Sequence, residues 1–229
     1  MTRLLVWGGG PYHSMAAQSD LFRSLLAPLG FELTYLEDRS AFNPENLSTA
    51  DVLMIMGLDW SVMSSLKPET WEDPSKARPY EPLSEKHWQS LQDYLASGKP
   101  LFCHHSGLLS FDEKNELEEI YDGRWVEGQS FHPPYQEFSV EVADKSHPIT
   151  RDLIDFKTRD ELYSRLRNPQ KFRVLLRSRF QGGDYPLAWV GNYGNSKVFC
   201  STLGHDLKSY DSPQIRKLLT NAFQWLVQS

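Results

Sequence analysis

The sequence has few cysteines, no excess of positive charge and no long apolar run, and each absence excludes a class of protein. The net charge is −6 and no block of Lys and Arg occurs, so the sequence offers no basic surface for the phosphates of nucleic acid and nucleic-acid binding is not expected. No segment approaches the roughly 20 apolar residues of a membrane span, so no membrane contact is expected. The two cysteines, Cys103 and Cys200, lie inside apolar runs. Buried free thiols are typical of a reducing compartment, and we therefore expect a cytoplasmic protein.

The chain has enough apolar sequence for one sizeable domain. It has 229 residues, of which 40% are hydrophobic, and residues 1–229 are predicted to form a single domain. Residues 59–85 interrupt the regular pattern with several prolines and aromatic residues. A long insertion of this kind is typical of a lid or a binding loop, or else of a surface excursion without function.

The first thirty residues predict a strand, a glycine-rich loop and a helix. Arg3–Trp7 is the apolar strand, Gly8–His13 is the loop, and Ser14–Leu29 has apolar residues at helical spacing. The loop matches neither the dinucleotide fingerprint nor the P-loop. Its glycines, Gly10 among them, instead let the backbone pass close to a ligand, with His13 at the end of the loop.

The rest of the chain repeats this alternation of strands and helices. Further strands are predicted at Phe31–Leu36, Asp51–Met56, Phe138–Val142 and Arg173–Leu176. Helices are predicted from Ser84 to Gly98, over Asp112–Tyr121 and over Pro213–Val227. An antiparallel hairpin near the C-terminus is predicted from Leu187–Val190 and Val198–Leu203. The predicted fold class is α/β, with a doubly wound, mainly parallel sheet flanked by helices on both faces.

The run Lys99–Gly107 predicts a buried central strand that stops at two histidines, a serine and a glycine. In open α/β sheets, ligands sit beyond the carboxyl ends of such strands. His105 is therefore the first candidate for a general base or a metal ligand, because histidine exchanges a proton near neutral pH. Ser106 follows as a substrate-binding candidate, whereas His104 points to the opposite face by strand alternation.

A second predicted strand end carries His205 and Asp206. His205 could complete a pair with His105, and Asp206 either orients that imidazole or caps a turn. His132 lies in a loop between an aromatic residue and two prolines, which holds its backbone stiffly. It is a further candidate for contact with a ligand.

The acidic partner of these histidines is predicted to be Asp160 or Glu161. The two are neighbours, so in an extended chain only one of them can face a shared site. Tyr163 falls on the same side as Glu161 if this segment is a strand. The structural alternative is a solvated turn.

Several histidines and a carboxylate are also the ligands that zinc or another divalent metal prefers. No local metal-binding spacing such as HExxH is present, so ligands would have to come from separate loops. The sequence therefore leaves the cofactor undetermined, with a divalent metal such as zinc as the candidate.

The order of these motifs resembles the trehalose-utilisation (ThuA-like) family, a branch of the class I glutamine amidotransferase-like, flavodoxin-like superfamily. The matching segments are Gly8–His13, the strand ending at His105, Phe131–Pro133, Asp144–Ile149, Asp160–Tyr163, Ala188–Val190 and Ser201–Asp206. His105 stands where amidotransferases place their catalytic cysteine, and Cys103 lies two positions upstream. Amidotransferase chemistry through a thiolate is therefore not expected.

The resemblance implies a role in sugar catabolism, on a glycoside or a 3-keto-glycoside. His105 and His205, helped by Glu161 or Asp160, would act as acids and bases, as in a lyase, isomerase or hydrolase. The expected substrate-binding residues are His13, Gly10, Ser106, His132, Tyr163 and Asp206. The expected partner is a small carbohydrate, and the sequence leaves a homo-oligomer open.

Two other functions remain as alternatives. A carbohydrate-binding module without catalysis would depend on Trp7, Trp125 and Trp189 more than on the histidines. A cysteine-dependent amidotransferase or peptidase would depend on Cys103.

Overall fold

The structure is a computed structural model, and it describes residues 1–67, 69, 72, 74–76 and 80–228. Its strands are β1 (Thr2–Trp7), β2 (Phe31–Leu36), β3 (Val52–Ile55), β4 (Leu101–His104), β5 (Gln136–Val142), β6 (Phe156–Asp160), β7 (Arg173–Phe180), β8 (Gly183–Tyr193) and β9 (Ser196–Ser201). Its α-helices are α1 (Met15–Leu26), α2 (Pro44–Thr49), α3 (Glu85–Ala96), α4 (Glu116–Tyr121) and α5 (Pro213–Val227).

The described strands form one sheet in the order β2-β1-β3-β4-β9-β8-β7-β5-β6. The first five of these strands pair in parallel. All four residues of β3 and of β4 are buried, as expected for central strands covered on both faces. The predicted α/β fold with a mainly parallel sheet is confirmed. Because neighbouring parallel strands end at the same edge, the loops after β1, β4 and β9 come together there.

The other strands are antiparallel and form more of the sheet than predicted. The predicted hairpin is confirmed as β8 and β9, and β7 and β5 continue the sheet beyond it. Strand β6, at the edge of the sheet, was not predicted. Its sequence, Phe-Lys-Thr-Arg-Asp, contains one strongly apolar residue and buries polar Thr158 and Asp160 instead. Strand β6 matters for the site because it ends beside Glu161.

Helices cover both faces of the sheet. On one face, the ring of Phe22 in α1 lies 5.7 Å from that of His104, and the ring of Phe223 in α5 lies 5.5 Å from that of Phe102. On the other face, the Cys200 thiol contacts the carbonyl of Tyr121 in α4 at 3.6 Å. The two cysteines are therefore core residues, and both are fully buried.

Helix boundaries follow local capping signals. Helix α3 begins after Ser84, whose side chain accepts a hydrogen bond from the N–H of His87. It ends two residues before Gly98, which has a φ of +80°. Helix α1 is shorter than predicted because Pro28 falls in a separate 3₁₀ turn, and α4 begins only at Glu116.

The predicted insertion at 59–85 lies partly outside the described residues. Its described part includes a 3₁₀ helix at Ser61–Ser65, and the carboxylate of Asp59 pairs with Arg39 at 2.7 Å. Among the helices of the described residues, none combines the length and the apolar character needed to cross a bilayer.

Candidate active site

His105 lies directly after β4, where the chain leaves the sheet. Its ring nitrogen Nδ1 lies 2.6 Å from the carbonyl oxygen of Thr202. A carbonyl only accepts hydrogen bonds, so Nδ1 carries the proton and Nε2 presents a lone pair in the neutral ring. The hydroxyl of Tyr163 lies 3.1 Å from this Nε2 and donates to it. His105 is thus held in one tautomer, with its accepting nitrogen toward the site.

His104 faces the opposite side of the sheet, as strand alternation predicts. Its Nε2 lies 2.8 Å from the hydroxyl of Tyr210, within the layer formed with α1. Burial, with a smaller contribution from His105, holds the pKa of His104 well below its ordinary value. His104 is therefore a core residue and not part of the site.

Two other loops bring imidazoles to His105. The ring centroid of His13, in the loop after β1, lies 4.9 Å from that of His105 and 4.6 Å from that of His205. His105 and His205 are 5.6 Å apart between ring centroids. The sequence predicted that two strand ends would bring His105 and His205 together, and the structure places their rings in contact.

The carboxylate of Glu161 lies among these histidines. Its Oε2 is 3.2 Å from His205 Nδ1 and 3.5 Å from His105 Nε2, and its Oε1 is 3.6 Å from His132 Nδ1. Burial would raise the pKa of Glu161, but the imidazole of His205, together with that of His105 when its ring is protonated, outweighs burial and lowers that pKa strongly. For His205, burial lowers the pKa and Glu161 more than compensates, so the net shift is upward.

Asp160, the other candidate for the acid, does not face the histidines. It is fully buried, and its carboxylate accepts hydrogen bonds from the backbone N–H groups of Glu161, Gly204 and His205 at 2.8, 2.7 and 3.2 Å. Burial raises its pKa. Asp160 therefore positions Glu161 and the loop that carries His205, and does not itself reach a ligand.

Two more candidates, Ser106 and Asp206, form structural hydrogen bonds instead of facing the histidines, and a third, Gly10, allows two backbone segments to approach closely. The hydroxyl of Ser106 is buried and donates to the carbonyl of Met56 at 2.7 Å. Asp206 does not orient His205, because its carboxylate caps a 3₁₀ turn through Ser209 and accepts from the hydroxyl of Tyr135. Gly10 has a φ of +116°, and a side chain there would collide with the carbonyl of Leu58.

Aromatic residues border the open side of the site. His132 is 39% exposed, and its ring lies 6.1 Å from that of Tyr163 and 6.2 Å from that of Trp125. Tyr135 packs its ring 5.3 Å from His205. Sequence reasoning missed Tyr135, although its place directly after two prolines of the His132 loop was a usable signal.

Glu72, from the described part of the insertion, also reaches the site. Its carboxylate accepts a hydrogen bond from the backbone N–H of His13 at 2.7 Å. Both residues line a cleft of about 370 Å³ together with Gly10, Pro11 and Met15. Sequence reasoning had no signal for this contact, because the two residues are 59 positions apart.

The site can exchange protons and can hold a cation. A carboxylate beside several imidazoles provides both a proton acceptor and proton donors within a few ångströms. One ligand nitrogen from each of His13, His105 and His205 lies within 4.8 Å of the others. Cys103 is fully buried below this site, so no thiol reaches it.

Fold and site together define a class of protein. It has a fold similar to that of the glutamine amidotransferases, and its candidate site is built from histidines and a carboxylate. A glutamine amidotransferase from Thermotoga maritima is similar in fold, with a TM-score of 0.58 and 11% identity over 100% of this chain and 99% of that one.

Within that class the chain belongs to the trehalose-utilisation family, ThuA, whose model matches residues 3–226. A ThuA-like protein from Parabacteroides merdae has a similar structure, with a TM-score of 0.77 and 18% identity over 100% of this chain and 92% of that one. The carbohydrate deacetylase Agd3 is similar over 99% of this chain and 32% of its own, with a TM-score of 0.57 and 14% identity. No curated protein matches the chain by sequence.

Proposed function

We propose that the protein is an enzyme of sugar catabolism that acts on a glycoside or a 3-keto-glycoside by acid–base chemistry. The family description, trehalose utilisation, supports a sugar as the substrate class. A carbohydrate deacetylase among the similar folds agrees with that class. The observation that carries the proposal is the Glu161 carboxylate within 3.2–3.6 Å of nitrogens of His205, His105 and His132.

The first step is proton transfer from carbon to Glu161. A keto group at carbon 3 of a glycoside acidifies the C–H bond at carbon 2. Despite burial, the pKa of Glu161 is held low by its contacts with His205 and His105, so Glu161 becomes a stronger base when His205 turns its hydrogen bond toward the substrate. Glu161 then accepts the proton, and the electron pair of the broken bond moves toward the keto oxygen, which becomes negative. The imidazole of His205, beside Glu161, donates a hydrogen bond to this oxygen and so stabilises the charge.

The proton on Glu161 then returns to the sugar. If the C1–O bond breaks, the electron pair at carbon 2 forms a C1–C2 double bond and the proton goes to the departing glycosidic oxygen. This route is an elimination. If the proton instead goes to carbon 3, and the hydroxyl proton of O2 passes to O3, the product is a 2-keto sugar and the reaction is an isomerisation. If carbon 2 receives a proton on the opposite face, the reaction is an epimerisation. The aromatic rings of Trp125 and Tyr135 border the site and suit the apolar face of a sugar ring.

The test is turnover of 3-keto-glucosides by the purified protein, followed by proton NMR in heavy water. We expect loss of the carbon-2 proton signal, either by exchange with solvent or by release of the aglycone. The unoxidised glucosides are the matched control, because their carbon-2 proton is not acidic. If no 3-keto-glycoside is altered, with or without added zinc, the enzymatic proposal fails.

A carbohydrate-binding module is the alternative, and His105→Ala separates the two. An enzyme loses turnover in this variant, because the ring of His105 lies 3.5 Å from the Glu161 carboxylate and helps to position it. A binding module instead keeps most of its affinity. Isothermal titration with the sugar and the NMR assay on the same preparation give both readouts.

A further inference from the structure

The geometry points to a metal site: we propose that His13, His105 and His205 together bind one divalent transition-metal cation, such as zinc. The inference deepens the proposed function, since the cation would lie beside Glu161, but the binding itself does not depend on which sugar reacts. No local sequence motif assigns these ligands, because each histidine comes from a different loop.

The three imidazoles converge from separate elements at one edge of the sheet. His13 follows β1, His105 follows β4 and His205 follows β9, and one nitrogen of each lies within 4.8 Å of the others. Zinc binds histidine nitrogens at about 2.0–2.1 Å, so the nitrogens on one tetrahedral ion lie about 3.4 Å apart and the three rings would have to move closer together by about 1 Å. The three ligands are nevertheless gathered at one edge of the sheet without the ion.

The hydrogen bond of His105 is the kind that supports a metal ligand. Its Nδ1–H donates to the backbone carbonyl of Thr202 at 2.6 Å, which fixes the tautomer and leaves Nε2 unprotonated toward the site. Histidine ligands of metals usually donate their other ring N–H to a carbonyl or a carboxylate in this way. The partner of Nε2 in the structure is the Tyr163 hydroxyl, a group that can rotate away.

In the described structure, the imidazoles of His13 and His205 each have a buried nitrogen without a hydrogen bond. Within the part of the chain that the structure describes, His13 Nδ1 and His205 Nδ1 are buried and have no hydrogen-bond partner. His205 Nδ1 has only the ion-pair contact with Glu161 at 3.2 Å. Buried polar atoms of native proteins are normally satisfied, so two nitrogens without hydrogen bonds within one cluster of imidazoles suggest a ligand there.

Glu161 makes the site suitable for a cation. Its carboxylate lies beside His105 and His205 and compensates part of the positive charge. A cation held by the imidazoles would supply positive charge beside Glu161 and so could polarise the keto oxygen of the substrate. Glu161 keeps its role as the proton acceptor.

The test is zinc binding by the purified full-length chain and by single variants. His13→Asn and His205→Ala each remove one ligand, and Asn tolerates the left-handed backbone of residue 13. His87→Ala is the matched control, because it removes a histidine on the flank of α3 that hydrogen-bonds Asn43. Each protein is stripped with chelator and titrated with zinc by calorimetry, and the metal retained after dialysis is measured by mass spectrometry.

We expect one zinc per chain in the wild type and in His87→Ala, with a rise of the melting temperature on zinc addition. In His13→Asn and His205→Ala we expect binding weaker by about 100-fold or more, because loss of a ligand exceeds the 10–100-fold cost of losing a supporting contact. Circular dichroism shows whether each variant is folded. The proposal is overturned if the folded wild type binds no zinc, or if all four proteins bind it equally.

The same preparations separate this proposal from the proposed function. One zinc per chain without turnover of any 3-keto-glycoside supports the metal site and contradicts the enzymatic role. Full turnover by chelator-stripped protein that binds no zinc supports the enzymatic role and contradicts the metal site.

Discussion

At the scale of single residues, His13 and His105 hold backbone conformations that most side chains avoid. Their φ angles are +67° and +46°, in the left-handed region. A non-glycine residue in this region costs about 1–3 kcal/mol, and such strain is typical of functional sites. A turn alone would be cheaper with glycine, so the imidazoles at these two positions are consistent with a role beyond the turn.

The contact between Tyr163 and His105 gives a prediction for a single hydroxyl. Tyr163→Phe leaves the buried Nε2 of His105 without its donor, so the free energy of unfolding in the metal-free protein falls by about 1–3 kcal/mol. Urea denaturation measures the loss. Tyr193→Phe, at a partly exposed tyrosine at the end of β8, is the control and is expected to change stability little. Equal stability of the Tyr163 variant and the wild type would show that this hydrogen bond contributes nothing.

The choice of acid could not be predicted from the sequence. Asp160 and Glu161 are adjacent and chemically alike. Which of the two carboxylates faces the histidines depends on how β6 ends. The backbone N–H groups of Gly204 and His205, distant in sequence, bind Asp160 and leave Glu161 to the histidines. Such long-range partners have no local signature, whereas His105 and His205 each follow an apolar strand and could be predicted.

At the scale of elements, Asp160 ties the end of β6 to the loop after β9. Asp160→Asn replaces an acceptor of three backbone hydrogen bonds by a group with a single accepting oxygen. We expect the free energy of unfolding to fall by about 1–3 kcal/mol, because buried N–H groups lose their partner. We also expect a lower kcat, since the loop holding His205 loses its support.

Denaturation and the NMR assay test both effects of Asp160→Asn. Asp184→Asn, at an exposed carboxylate near the start of β8, is the control for removing a charge elsewhere. If Asp160→Asn is as stable and as active as this control, Asp160 does not position the loop.

Strand β4 ends at His104 and His105 follows it directly, and only His105 faces the candidate site. His104→Ala removes a buried ring packed on Phe22 and hydrogen-bonded to Tyr210. We expect the unfolding free energy to fall by about 2–4 kcal/mol, from the cavity and the hydroxyl left without a partner. In the folded fraction, affinity for the sugar should stay near that of the wild type. A selective loss of affinity without loss of stability would place His104 in the site.

The elements themselves were predictable to different degrees. Strands β1, β3 and β4 contain short apolar runs and β2 alternates apolar with polar residues, so the positions of all four follow from the sequence within one or two residues. Strands β5 to β8 form an antiparallel extension in which exposed polar residues alternate with buried ones, so β6 was missed and β7 and β8 were predicted too short. Pairing with neighbours, and not local composition, decides where such strands end.

At the scale of the whole molecule, one continuous sheet carries the parallel and the antiparallel strands. The single domain predicted from composition implies that both parts unfold together. Circular dichroism and tryptophan fluorescence should therefore give the same urea midpoint, because tryptophans such as Trp7 and Trp189 lie in different parts of the sheet. Two separated transitions would show that the antiparallel extension is an independent unit.

The fold also explains how the chemistry of the site can differ between proteins that share this sheet. The loops after β1, β4 and β9 meet at one edge in the described structure, so changes in these short segments alter the chemistry without altering the sheet. Here the thiols of Cys103 and Cys200 remain in the core, and imidazoles and a carboxylate occupy the edge. The proposed reaction therefore depends on the residues at this edge of the sheet and not on the fold alone.

The most direct measurement compares the turnover of a 3-keto-glucoside by the wild type, Glu161→Gln and the control Glu137→Gln, all at the same zinc content. Glu137 is an exposed carboxylate on β5 that pairs only with Lys157 among the described residues. If Glu161 exchanges the proton, kcat falls by about 10²–10⁴ in Glu161→Gln and stays unchanged in Glu137→Gln. A folded Glu161→Gln variant that turns over the sugar as fast as the wild type would contradict the role of Glu161 as the proton acceptor.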